Sequence, residues 1–238
     1  MIRPFATLAL AASLGFTAIP ATAQDTTLTP ALENTANRND AAGRMPIKAE
    51  TDMQVDPENI LLLDLSTGDR VAIRLVPQWA PNHVERVKTL TREGFYDGVI
   101  FHRVIDDFMA QTGDPTGTGL GGSELPDLEE EFNMLPHVRG SVAMARQADN
   151  TDTANSQFFI VFYPRFSLDR NYTNFGRVIS NMPAVDKIER GQPPSNPTTI
   201  LQASIASDNK PQVMPSAPAP QEEEERITLD MLNASAEE

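Results

Sequence analysis

The chain contains no cysteine. That excludes disulfides, thiolate nucleophiles and cysteine-ligated zinc or iron–sulfur centres. Histidine is scarce: His83, His102 and His137 lie far apart and lack metal-ligand spacing. Positive charge is also short, with 19 Lys and Arg against 33 Asp and Glu and a formal net charge of −14 over 238 residues. A nucleic-acid binder needs a basic patch for the phosphates, so this balance argues against one. An acidic excess otherwise favours solubility. Beyond the N-terminus, no apolar run approaches the ~20 residues of a membrane-spanning helix.

The first residues, MIRPFATLALAASLGFTAIPATAQ, combine Arg3, an apolar stretch and Ala21-Thr22-Ala23. A charged start, a short apolar region and an A-x-A site are the parts of a signal peptide. The pattern predicts a signal peptide over 1–23, cleavage after Ala23 and a periplasmic product. An N-terminal anchor is the weaker reading, because the run is short and interrupted. No cysteine follows to carry a lipid, so no stable membrane insertion is expected after cleavage.

Residues 24–56 are polar and aperiodic, which predicts a flexible leader. Residues 207–238 hold Pro-Ala repeats and an acidic run, which predicts a disordered tail. Between them, 57–206 reads as one domain. NILLLDLSTGDRVAIRLV is a hairpin around Thr67-Gly68-Asp69. APNHVERVKTLTREGFY is a helix, with Pro81 in its first turn, an apolar stripe of Val84, Val87 and Leu90, and Gly94 to end it. Strand-like runs follow at 99–105, 108–113, 139–145 and 155–162, then a short helix in MPAVDKIERG and a last strand in PTTILQASIA. Many strands and two helices without βαβ alternation predict a mainly antiparallel sheet, closed on itself, with helices over its ends.

Gly117-x-Gly119-x-x-Gly122 matches a dinucleotide fingerprint in letters. That fingerprint needs a helix N-terminus next to it, and here Pro126, Asp127, Glu129, Glu130 and Glu131 follow. The glycines therefore read as a flexible surface loop.

Alternation puts Val99, Phe101, Arg103 and Ile105 on one strand face, and Ile100, His102 and Val104 on the other. Both faces are largely apolar, so the outer one is covered or lines a groove. A dry, unpaired guanidinium is too costly, so Arg103 belongs to the groove side. The same alternation groups Gln157, Phe159 and Val161 against Ser156, Phe158, Ile160 and Phe162, and pairs Met109 with Gln111. Each residue alone admits a plainer reading: Arg103 as a surface cation paired with Asp106 or Asp107, the glutamines as edge amides, Phe108, Met109 and Phe159 as core. Together they favour a groove.

FYDGVIFHRVIDDFMAQTGDPTGTGLGG, RGSVAMAR, NSQFFIVF and NFGRVI, in that order over roughly 58–205, resemble the cyclophilin-type peptidyl-prolyl cis-trans isomerases. The resemblance implies an eight-stranded antiparallel β-barrel closed by two α-helices. It implies Arg103 as the catalytic arginine, with Gln111 beside it. Phe108, Met109, Phe159 and Leu168 would wall a proline pocket. His102, Ala145, Arg146, Gln157 and Tyr172 would stand at the substrate. Three positions depart from the family pattern: Arg146 replaces an asparagine, Ser167 a tryptophan and Tyr172 a histidine. Ser167 lacks an indole donor, so cyclosporin-type ligands are expected to bind weakly.

Rotation about an X–Pro bond meets a barrier of ~20 kcal/mol because the nitrogen lone pair is delocalised into the carbonyl. No bond is made or broken, so neither nucleophile nor cofactor is needed. The implied partners are proline-containing unfolded or flexible polypeptides, and the implied state is a monomer. Two rival readings remain: a peptide-holding chaperone without catalysis on the same fold, and a scaffold whose acidic tail is the working part.

Overall fold

The computed structural model of the protein describes residues 48–216. The expected signal peptide, most of the leader and the tail from 217 lie outside the described residues. Eight strands form one antiparallel sheet: β1 (Ile60–Leu65), β2 (Arg70–Leu75), β3 (Arg103–Ile105), β4 (Met109–Thr112), β5 (Ser141–Met144), β6 (Phe158–Val161), β7 (Asn174–Ser180) and β8 (Ile200–Ile205). Two helices accompany it, α1 (Pro81–Arg92) and α2 (Met182–Asp186). The strands are ordered β3-β4-β6-β5-β7-β2-β1-β8.

The expected closure corresponds here to an open half-barrel. Strands β3 and β8 stand at the two ends of the ladder and do not pair with each other. The gap is spanned by single bonds: Gly98 N to Ile200 O (2.8 Å), Phe101 N to Thr198 O (2.9 Å) and Ile200 N to Val99 O (2.9 Å). The chain turns through Gly98 at φ +81° and stays irregular until Arg103, so no continuous ladder forms there. This irregularity also breaks the alternation expected over 99–105. Phe101 does not share a face with Arg103; it lies in the main core with Val104. Ile105 packs on the opposite side.

Concave packing explains the rest. Leu61, Leu63 and Leu65 of β1, Val71, Ile73 and Leu75 of β2, and Phe158 and Ile160 of β6 point inward at period two. They meet Val84, Val87 and Leu90 of α1, the stripe visible in the sequence. Pro81 opens α1, where a missing N–H costs nothing. The free amides of its first turn are capped from afar: Glu131 accepts from Asn82 N and His83 N, both at 3.1 Å. One acid of the run after the glycines thus stabilises a helix start. Strand β7, which has no clean alternation, joins the two halves of the sheet. The second helix is one short turn; beyond it, Arg190 takes over the carbonyls of Asp186 and Ile188.

Both flanks expected to be free are tied down in their described parts. Arg74, 3% exposed, donates to the carbonyls of Glu50 (3.0 Å), Asp52 (2.7 Å) and Asp56 (2.8 Å). Ala49 packs with Val76, Trp79 and Leu135. On the other side, Ser207 donates to Glu58 (2.7 Å), and Val213 N donates to the buried Asp64 (2.8 Å). The domain therefore extends past 57 and 206, because its own buried charges recruit the flanking backbone. Among the described residues, no helix is long and apolar enough to cross a membrane.

Replacing Arg74 with alanine removes three charge-assisted bonds, while the released carbonyls regain water. A loss of about 2–4 kcal/mol follows. Urea unfolding should report it, and limited proteolysis between 48 and 56 should accelerate. An unchanged midpoint with unchanged cleavage would show that the segment is held by other contacts.

Candidate active site

Register assembles the site. Arg103 of β3 stands opposite Gln111 of β4, Gln111 opposite Phe159 of β6, and Phe159 opposite Ala143 of β5. Directly opposed residues share a face, so these four form one row across the outer side of the sheet. The next row, Ile105, Met109 and Val161, supplies apolar neighbours. Met109, Ala143, Phe159, Val161 and Leu168 form a second apolar cluster, joined by Ile105, Phe108, Ala145 and Tyr172. The outer face is thus half covered, as two apolar faces require.

Two connections supply the cover. The turn between β3 and β4 carries Phe108; Asp107 takes φ +55° there, and Phe162 N binds the Phe108 carbonyl (2.8 Å). The loop between β6 and β7 carries Leu168 and Tyr172. It is pinned by Asp169, which accepts from His137 N (2.8 Å) and lies 2.9 Å from His137 Nδ1. Tyr172 meets the Phe159 ring edge to face at 5.6 Å. The result is a pocket of about 160 Å³ lined by Arg103, Phe108, Met109, Gln111, Ala145, Arg146, Phe159, Leu168 and Tyr172.

Polar groups of the row are held head to tail. Arg103 Nη1 donates to Gln111 Oε1 (3.2 Å), and Arg103 Nε to Gln192 Oε1 (3.2 Å). Gln111 Nε2 donates to Gln157 Oε1 (2.8 Å). Gln157 Nε2 donates to the carbonyls of Gly119 (3.1 Å) and Gly121 (2.7 Å). Each amide orientation is fixed by the next. The alternative pairing of Arg103 with a neighbouring acid is not adopted: Asp106 pairs with Arg190 at 3.2 Å.

The glycine loop ends this chain, and it is not the free loop expected. Asp114 is fully buried at the end of β4. Its carboxylate accepts from Thr116 N (2.7 Å), Thr116 Oγ1 (2.8 Å), Gly119 N (2.6 Å) and Gly121 N (3.1 Å). The loop does cradle an anion, but that anion is the protein's own. Burial alone would raise the Asp114 pKa; the Thr116 hydroxyl and the amides of 116, 121 and 119 outweigh it and lower it from 3.8 to about 2. Gly113, at φ +89°, is needed beside it, since a Cβ there would come within 2.8 Å of Gln157 Cα.

Ten of the eleven site residues expected from the sequence lie together: nine line the pocket, and Gln157 stands behind Gln111. His102 is outside the pocket lining, beside Gln157 and Gly119. It is 5% exposed, and the space above Gly119 brings its ring to 3.6 Å from where a Cβ would sit. Burial lowers its pKa, which favours the neutral ring. Arg146 donates to the carbonyls of Asn171, Gln147 and Ala148 and lies 4.7 Å from the Tyr172 ring centroid. Three contributors were given no role from the sequence. Gln192 arrives because Gly191 and Val104 exchange backbone bonds (2.7 and 2.9 Å). Arg165 covers the Phe108 ring at 4.8 Å. Asp114 closes the stretch FHRVIDDFMAQTGD, where nothing local marks it as the centre of the loop. Ser167 lies in a 3-10 turn, Phe166–Leu168, beside Phe166, which is 65% exposed. Among the described residues, no three of His, Asp and Glu could together hold a metal ion.

A small apolar pocket with a fixed guanidinium at its edge defines a protein that grips one apolar group and offers it hydrogen-bond donors. Comparison with known proteins gives this class its family. The sequence model for "Cyclophilin type peptidyl-prolyl cis-trans isomerase/CLD" matches residues 62–206, over half of the chain. The chain belongs to that family. A "Probable peptidyl-prolyl cis-trans isomerase" of Brucella suis is 47% identical over 177 residues, covering 68% of this chain and 89% of the relative. The Schizosaccharomyces pombe peptidyl-prolyl cis-trans isomerase ppi1 is 37% identical, covering 59% of this chain and 95% of its own. Cyclophilin AquaCyp293 from Hirschia baltica has a similar fold, with a TM-score of 0.60 and 28% identity, over 66% of this chain and 77% of that one. A Cryptosporidium parvum cyclophilin type isomerase, solved in the presence of the dipeptide Ala-Pro, gives a TM-score of 0.57 at 26% identity, over 61% of this chain and 98% of that one. The enzyme class is peptidyl-prolyl cis-trans isomerase.

Substituting Asp114 with asparagine keeps the shape but removes the anion the loop amides surround. About 2–3 kcal/mol of stability should go at neutral pH. Its folded pKa lies below its unfolded one, so the native state binds fewer protons. The contribution is full above about pH 4 and is lost as pH falls toward about 2. Unfolding followed through that range should be steep for the wild type and flatter for the variant. Identical pH profiles would sink this assignment.

Proposed function

We propose that this protein accelerates X–Pro rotation in unfolded or flexible polypeptides after export to the periplasm. The observation that carries the catalytic reading is the row of Arg103, Gln111 and Phe159 at a pocket of about 160 Å³. That volume is below the roughly 300–1,000 Å³ of drug-sized sites, so it suits one small ring. The proline ring is gripped by Phe108, Met109, Phe159 and Leu168 while the preceding carbonyl swings.

In the twisted transition state the lone pair returns to nitrogen, which becomes an acceptor. Arg103 commits two N–H groups to Gln111 and Gln192 and has others to offer. Its charge is permanent, and the amide relay fixes its position before substrate arrives. A preorganised donor that meets charge existing chiefly at the transition state lowers the barrier more than it tightens ground-state binding. Gln111 positions Arg103 and lines the pocket itself. No group on the substrate is attacked, so no nucleophile is required.

Export rests on the charged start, apolar stretch and A-x-A site of residues 1–23. Mass spectrometry of the secreted product should find Gln24 at its N-terminus. An uncleaved, membrane-bound chain would refute the periplasmic assignment.

Arg103→Ala tests the mechanism. The expected loss in catalytic efficiency is about 10²–10³-fold, mainly in kcat, with an unchanged melting temperature. The same variant separates catalysis from peptide holding, because binding should survive. Near-normal isomerisation by a well-folded variant would overturn the role given to Arg103.

A further inference from the structure

Two guanidinium groups, Arg103 and Arg146, line the pocket and a third, Arg165, covers the Phe108 ring; none is in an ion pair among the described residues, in a chain of net charge −14. Ion pairs among the described residues engage Arg70, Lys88, Arg92, Arg139, Lys187 and Arg190. Arg103, Arg146 and Arg165 belong to none of them. Neutral groups hold the first two: Arg103 meets side-chain amides, and Arg146 meets the carbonyls of Asn171 (3.0 and 3.2 Å), Gln147 (2.7 Å) and Ala148 (2.9 Å). Arg146 and Arg165 also lie over aromatic faces, Tyr172 and Phe108. Such contacts orient a guanidinium and leave its full charge in place.

Position gives those charges a function. Arg146 lines the proline pocket and also a neighbouring hollow of about 540 Å³, together with Gln111 and Ala145. A chain with its proline in the pocket passes Arg146 on the side toward the hollow. Arg165, on the Phe108 wall, flanks a different edge. Nearby acids have other neighbours: Asp127, in the hollow, accepts from Asn155 Nδ2 (2.9 Å) and faces the Arg86 charge, Asp169 meets His137, and Asp106 pairs with Arg190. Asp149, on the loop after Arg146, is exposed.

We propose that the groove selects proline segments carrying a carboxylate side chain next to the proline, with Arg146 as the specificity-determining contact and Arg165 as a second one. This rests on the isomerase reading and names its substrate class. A lysine at the same place meets like charge, so discrimination comes from repulsion as well as attraction.

Short peptides with one proline, flanked on either side by Glu, Ala or Lys, test it. At about 0.01 M salt, Glu peptides should exceed Lys peptides in kcat/KM by roughly fivefold, the size of one exposed charge pair. The difference should lie in KM. At about 1 M salt, where screening acts over ~3 Å, it should collapse. Arg146→Gln should bring the Glu-to-Lys ratio toward one on one side of the proline. Arg146→Lys should retain it, and Arg165→Gln should narrow the ratio on the other side. Melting curves identify any variant that has lost its fold, and the salt series on the wild type stands independently of them. Equal efficiencies for Glu and Lys peptides at low salt, or a ratio untouched in both folded glutamine variants, would overturn the proposal. Peptide binding by fluorescence anisotropy separates the two levels. Charge-selective binding without turnover supports the charge preference and refutes the isomerase. Turnover indifferent to charge does the reverse.

Discussion

A guanidinium on an apolar strand face needs its donors satisfied, and here side-chain amides do this, a constraint that organises the outer side of the sheet. Arg103 is held by Gln111, Gln111 by Gln157, and Gln157 by the carbonyls of Gly119 and Gly121. The loop containing those carbonyls is folded around Asp114. Loss of any member would leave a polar group short of a partner near apolar walls, which costs more than an average hydrogen bond contributes. The relay therefore couples a buried carboxylate at the end of β4 to the guanidinium at the pocket edge. It also explains why this loop is rich in glycine. The loop backbone must approach a carboxylate on one side and an amide on the other.

The sheet has to satisfy two apolar surfaces at once. Its concave side is filled by α1 and the aliphatic residues of β1, β2 and β6. Its convex side near β3, β4 and β6 bears Met109, Phe159 and Val161, which helices do not cover. Two loops close over this second surface incompletely, and the uncovered remainder is the pocket. A fully packed outer layer would be more stable, but it would leave nowhere for a ring to enter. The site is thus apolar surface left available by the fold, with Arg103 held at its edge by the relay.

Sequence reading succeeded where strands were regular. Alternation sorted Phe158, Ile160 and Phe162 from Phe159 and Val161 correctly, because β6 pairs on both sides and keeps its pleat. It failed at Phe101, because β3 begins at Arg103 and the residues before it cross the gap to β8 by single bonds. Strand β7 escaped notice as an element, since Gly176 and a mixed burial pattern hide its period. Glu131 as a helix cap and Gln192 as a partner of Arg103 lie 48 and 89 residues from their contacts, beyond any local pattern. No helix follows the glycine motif before β5, and the loop is instead organised by Asp114, whose role emerges only when the loop folds back. Leader and tail looked polar and free. What fixes their inner ends is Arg74 and Asp64, charges buried in the sheet that accept backbone as their partners.

Two of the three departures from the family pattern make physical sense as one change. An arginine at position 146 is long and charged, and at a pocket edge it would sweep through many rotamers. Tyr172 gives it a flat face at 4.7 Å, and the Asn171 carbonyl takes two of its N–H groups. The same tyrosine ring meets Phe159 edge to face, so it serves the pocket wall on one side and the guanidinium on the other. Histidine at 172 would offer a weaker cation–π face and, when protonated, a like charge beside Arg146. Asparagine at 146 would leave the Tyr172 face empty. Each departure is costly alone and compatible with the other. Together Arg146 and Tyr172 put a fixed positive charge at the edge of the pocket.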